Sequence, residues 1–148
     1  MSLQGGNMNE VINLLIQKNQ HLERFFKHNE AEILNFFEGN FDNLERFYQS
    51  REVILDMISC IDRMIDEAQV KMGVVTPLTA EDKKQVISTL DKKNDLVTQI
   101  LSQDLQILSL IEQAKSGIIK ELTQVKATKK AVGSYKSGTK EPQLDEKV

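Results

Sequence analysis

A chain of 148 residues is long enough for one domain with a modest core. Its hydrophobic content of 40%, charged content of 28% and net charge of −3 exclude a global basic footprint for nucleic acid. No apolar run approaches the roughly 18 residues of a membrane span, and the single cysteine, Cys60, excludes an internal disulfide.

The charge is uneven. Residues 126–148 carry six Lys against Glu141, Asp145 and Glu146, a net +3, so residues 1–125 carry −6. Trp is absent and only two Pro and seven Gly occur, which favours long helices over a turn-rich β fold. The opening Met-Ser-Leu-Gln-Gly-Gly-Asn has neither the basic nor the apolar region of a signal peptide, and a cytosolic protein is expected.

Residues 1–7 read as a flexible lead, with Asn7 and Glu10 as a capping box that starts a helix near Met8. Apolar triplets at i, i+3 and i+4 then recur every 11 residues: Val11-Leu14-Leu15, Leu22-Phe25-Phe26, Ile33-Phe36-Phe37, Leu44-Phe47-Tyr48, and a weaker Leu55-Ile58 with Ser59 in third place. About 11 residues make three helical turns, so the triplets return to nearly one side. Such a stripe requires cover by another helix. At Gly39-Asn40 the helix either continues with a weak point or turns back; a break is the preferred reading, giving a first helix over 8–38.

A second helix is expected over 41–72, with Phe47, Ile54, Ile58, Ile61, Ile65 and Met72 on one side and Gly73 at its end. The run Gly-Val-Val-Thr-Pro-Leu is the clearest loop. Thr79, with Asp82 three residues on, reads as the next N-cap. The third helix is predicted over 79–132, closed by Gly133, with Gly117 as its weak point. Its apolar face, from Val86 to Val125, is wider than the stripe of about 100° that one helix contact needs. Either a bundle surrounds this helix or part of the face is left for a partner. The expected architecture is all-α: an elongated antiparallel bundle of three long helices, a single helical domain over 8–133, followed by a disordered basic tail over 134–148.

Catalytic and metal chemistry find little support. His21 and His28 share a helix side with Glu32 one turn on, but neither a Glu-x-x-His pair nor a His-Glu-x-x-His motif occurs. Cys60 has no histidine near it in sequence, and no glycine-rich phosphate loop is present. No cofactor, metal or enzymatic activity is expected. One polar detail is sharper. Asp104 falls within the apolar face of the third helix, with Lys93 and Lys115 each 11 residues away, and Lys18 and Asn29 interrupt the first helix likewise. Either Asp104 pairs with one of these groups as a buried polar register, or the helix turns it out to solvent.

Several strings resemble those of the FliT/FlgN-type flagellar export chaperones. Glu38-Gly39-Asn40-Phe41-Asp42-Asn43-Leu44, followed by Arg51-Glu52-Val53-Ile54-Leu55, is similar to the small-residue break and the basic-then-apolar segment of their first half. Asn94-Asp95-Leu96-Val97 with Ile100-Leu101 resembles the opening of the Leu-rich stretch in their long C-terminal helix, and Gly133-Ser134-Tyr135-Lys136-Ser137-Gly138 the tyrosine and glycine after it. The resemblance implies a cytosolic chaperone that holds the C-terminal amphipathic helices of hook–filament junction (hook-associated) or filament-cap proteins. It would deliver them to the export gate and its ATPase complex. Cargo contact then falls to Asn94, Val97, Ile100, Leu101, Leu108 and Ile111, and gate docking to Tyr135. A structural coiled-coil or spectrin-like adaptor is the alternative, and an exposed stripe is also satisfied by a homodimer.

Overall fold

A computed structural model of the chain describes residues 8–73 and 78–135, with the backbone alone at Ser134 and Tyr135. Among the described residues three α-helices follow one another: α1, Met8–Phe37; α2, Leu44–Met72; and α3, Ala80–Tyr135. The fold is all-α, as the 11-residue step and the scarcity of breakers require. By internal contacts the chain divides into two compact units, Met1–Ile107 and Leu108–Val148.

The break between α1 and α2 falls at Gly39. The Asn40 N–H donates to Asn35 O at 2.9 Å and the Gly39 N–H to Phe36 O at 3.0 Å. This pair of bonds closes a Schellman cap, whose C′ residue must adopt positive φ. Gly39 does so, at φ 83°. The Asn40 side chain then accepts from the Asp42 N–H at 3.0 Å, which tightens the turn. Phe36 lies stacked on Phe41 (centroids 5.1 Å apart) and edge-on to Phe47 (5.3 Å), so the turn is pinned by its own aromatic residues.

In the first unit, α1 and α2 run antiparallel: Lys18 Nζ meets Asp62 Oδ1 at 2.7 Å, and His28 Nε2 lies 3.3 Å from Phe47 O. Between α1 and α3 the numbers rise together, as Asn19 bonds Thr89 O and Asn29 bonds Gln103, so these two helices are parallel. One apolar cluster joins all three helices through Leu22, Phe25, Ile54, Ile58, Leu96 and Ile100. A second involves α1 and α2 alone, through Val11, Leu14, Ile61, Ile65 and Ala68. The first two triplets thus bury their first two members and leave the third, Leu15 or Phe26, half-exposed. Phe37, Tyr48 and Leu55 are exposed altogether.

Gly73, at φ 62°, ends α2, and its N–H donates to Gln69 O. Thr79 Oγ1 accepts from the Asp82 N–H at 3.0 Å and caps α3 as expected. The far end of α3 differs from expectation. The helix does not close at Gly133 but passes through it to Tyr135. A single helical glycine costs only about 1 kcal/mol, too little to end a long helix without a cap or a proline. The expected tail at 134–148 therefore loses its first two residues to α3. The rest of it, like the expected lead and the Asn7 cap, lies outside the described residues.

Candidate functional site

Three polar residues, one from each helix, occupy positions where the spacing of their neighbours calls for an apolar side chain. Asn29 lies between Phe25 and Phe36 on the buried side of α1, Arg51 between Phe47 and Ile54 on α2, and Asp104 between Ile100 and Ile107 on α3. They meet in one layer. Asn29 Nδ2 donates to Asp104 Oδ1 and to Gln103 Oε1, each at 3.2 Å. Arg51 Nη2 donates to the same Asp104 Oδ1 at 3.1 Å. Gln103 Nε2 in turn donates to Phe26 O at 3.1 Å, which ties the layer to the α1 backbone.

The guanidinium of Arg51 lies over two rings at once, 4.9 Å from the centroid of Phe25 and 5.2 Å from that of Phe47. Cation–π attraction and a carboxylate together offset the cost of taking Arg51 partly out of water. His28 stacks on the Phe47 ring at 5.1 Å and so belongs to the packing around the layer. The layer is not fully satisfied. Among the described residues, Arg51 Nε and Asn29 Oδ1 are buried without a hydrogen-bond partner. A layer that leaves groups unpaired contributes more to the uniqueness of the helix register than to stability.

The expected pairing partners of Asp104 were Lys18, Asn29, Lys93 and Lys115. Asn29 is the one it meets, while Lys18 is taken by Asp62. Arg51 was not among those candidates, although the signal existed: it occupies an apolar-phase position of α2, with Phe47 four residues before it and Ile54 three after.

Along α3 in the first unit, two lines of side chains face different ways. Leu96, Ile100, Gln103 and Ile107 are buried. Ile87, Leu90, Asn94, Leu101 and Leu105 are exposed, Leu101 at 58% and Leu105 at 70%. At 100° per residue these five lie within about 60° of one another. They form an apolar ridge with a single amide, Asn94, near its middle. Beside α3, a shallow groove is lined by Phe26, Ile33 and Leu34 of α1 and by Gln99, Ser102 and Gln106 of α3.

The expected cargo residues divide accordingly. Asn94 and Leu101 stand on the ridge. Ile100 is buried in the three-helix cluster, and Val97 is half-buried against it. Leu108 is exposed and Ile111 half-buried; both belong to the second unit. Leu105, absent from the expected cargo residues, is the most exposed member of the ridge. Tyr135 is the last residue of α3 rather than a residue beyond it.

Among the described residues no three His, Cys, Asp or Glu side chains are grouped to hold a metal, and no helix is long and apolar enough to cross a membrane. His21 is engaged with Arg24 at 3.0 Å, and Cys60 is exposed. The chain matches no protein-family model, and no curated protein or solved structure is similar enough to count as a match.

Proposed function

We propose that this protein is a helix-binding chaperone of the flagellar export type, which lays an amphipathic helix of its cargo along the exposed ridge of α3. The observation that carries the reading is the ridge itself: Ile87, Leu90, Leu101 and Leu105 are exposed along one side of a helix whose other side is already packed. A helix-in-groove binder uses apolar anchors at helical spacing and needs no catalytic group. Asn94 supplies one polar contact that can fix the register of the bound helix. The proposed cargo is a late export substrate of the hook-associated or filament-cap type, as the FliT/FlgN resemblance implies, and Tyr135 is the proposed contact with the export gate. The proposed setting is the cytosol.

The test is co-expression of the full chain with the C-terminal helix of such a cargo, followed by size-exclusion chromatography. A stable complex that is lost in Leu105→Asp, with helicity kept, supports the reading. No complex, or a complex unaffected by Leu105→Asp and Leu101→Asp, overturns it and leaves the structural adaptor as the better account.

A further inference from the structure

Along the middle of α1 the charges are sorted by direction. Glu23 reaches toward α3, where it meets Lys92 at 3.9 Å, and Glu30 lines the groove between α1 and α3. Arg24 and Lys27 turn toward α2. With His28 they form the α1 side of a second shallow groove, whose α2 side is Ser50, Val53 and Ile54. No carboxylate lines it. Lys18, the other cation of α1, is neutralised by Asp62, but among the described residues Arg24 and Lys27 form no ion pair. Arg24 is nevertheless held in place. Its Nη1 donates to His21 Nδ1 at 3.0 Å and to Met57 Sδ at 3.6 Å, a ring nitrogen and a thioether, neither of them an anion. Both bonds leave from Nη1. The Nε–Nη2 edge, the fork that matches a carboxylate, is therefore without a partner among the described residues.

We propose that this groove docks an acidic amphipathic helix of a partner protein. Its two walls decide the occupant. The α1 wall is cationic. The α2 wall is apolar, with Val53 exposed and, one turn on, Met57 exposed as well. Arg24 and Lys27 are three residues apart and Arg24 and His28 four, about 4.5 and 6 Å along α1. A helix lying beside α1 presents carboxylates three or four residues apart at the same two intervals. Arg24 takes one carboxylate through its free edge, Lys27 takes the next, and an aliphatic residue on the adjoining face of the partner covers Val53. Ser50 adds a hydroxyl donor on the α2 side. A lone phosphate makes no use of the apolar wall. An anionic bilayer meets more of the surface than one groove, and the acidic body opposes it, since residues 1–125 carry −6. Against that body the groove is a local exception, toward which an acidic helix is steered. The proposal does not depend on the chaperone reading: the ridge of that reading is on α3, and no residue of α3 lines this groove.

The probe is a fluorescein-labelled helical peptide with leucines on one face and glutamates three and four residues apart on the other. It is titrated with the full chain at about 50 mM salt, where screening is weak, and fluorescence polarisation reads the binding. A Kd of about 10–100 µM is expected, that of a small transient interface. Exchanging the glutamates of the peptide for glutamine should weaken binding roughly tenfold or more, as should Arg24→Glu combined with Lys27→Glu in the chain. Both positions are exposed, so the double variant should keep the thermal melt of the natural chain. Val53→Asn should weaken binding about threefold. Lys83→Glu combined with Lys84→Glu, an equal change of charge at the start of α3, should leave it unchanged. Leu105→Asp should also bind the probe as the natural chain does; loss there would seat the peptide on the α3 ridge and overturn the proposal. No binding of the peptide overturns it too, as does equal weakening by the Lys83 and Lys84 changes. Displacement by millimolar inorganic phosphate at constant ionic strength would mark a simple anion site. Sedimentation with phosphatidylglycerol vesicles, abolished by the Arg24 and Lys27 changes, would mark a membrane contact. Either result overturns the acidic helix as the occupant.

Discussion

Arg51 and Asp104 are 53 residues apart in the chain and meet at 3.1 Å, with the guanidinium laid over the rings of Phe25 and Phe47. Neither residue would be held in place without the other helix. Arg51→Ala is expected to destabilise the fold by about 2–3 kcal/mol, from lost ring contact and from a half-buried carboxylate left without its cation. Asp104→Leu should cost less, since a third of that side chain is exposed. Urea unfolding of both single variants and the double variant gives the coupling, expected at roughly 1–2 kcal/mol. Strictly additive effects would show the pair to be a passive contact.

Ile100 and Leu101 are neighbours in sequence with opposite environments, 7% and 58% exposed. Ile100→Ala should cost about 2–4 kcal/mol, because it opens a cavity in the three-helix cluster. Leu101→Ala should stay within about 0.5 kcal/mol of the natural chain. The same pair read out by cargo binding should reverse in rank, with Leu101→Asp abolishing the complex at unchanged helicity. Equal destabilisation by both alanine variants would place Leu101 in a core contact.

Gly39 has open space around the position of an added Cβ, yet its φ of 83° is one that side-chain-bearing residues rarely adopt. Gly39→Ala is therefore expected to cost about 1 kcal/mol through backbone strain alone. Gly117, within α3 and equally uncrowded, should respond in the opposite sense, Gly117→Ala stabilising the helix by up to about 1 kcal/mol. Thermal unfolding followed by circular dichroism at 222 nm checks both; a gain at position 39 would mean that the turn is not held in the left-handed conformation.

Thr79 caps α3 through a single side-chain bond to the Asp82 N–H. Thr79→Ala should cost about 1 kcal/mol and Thr79→Asp little or nothing, since an aspartate accepts the same bond and complements the helix dipole. Amide exchange in the first turn of α3 should quicken in the alanine variant. An alanine variant with unchanged exchange would show the cap to be idle.

The helices were legible in the order of the residues because their signals are local. The 11-residue step, the turn at Gly39-Asn40, the stop at Gly73 and the cap at Thr79 each depend on a few adjacent residues and on the geometry of one helix. The buried side of α2, from Phe47 to Ile65, followed from the same periodicity. The sequence could also mark Asn29 and Asp104 as polar intruders on apolar faces, because the phase of a helix is a property of the helix alone. Arg51 is a third intruder by the same phase, but the sequence could not say that the three would meet, nor which part of the broad face of α3 would be covered. Those outcomes depend on how far each helix is rotated toward its neighbours, and that rotation is set when side chains 50 and more residues apart compete for one interior. Packing took Ile100 into the core and left Leu101 and Leu105 outside, although all three are aliphatic and stand within six residues of one another. Sequence determined that this chain would be three helices with a stripe in need of cover; tertiary structure decided which residues cover it and which remain to meet a partner.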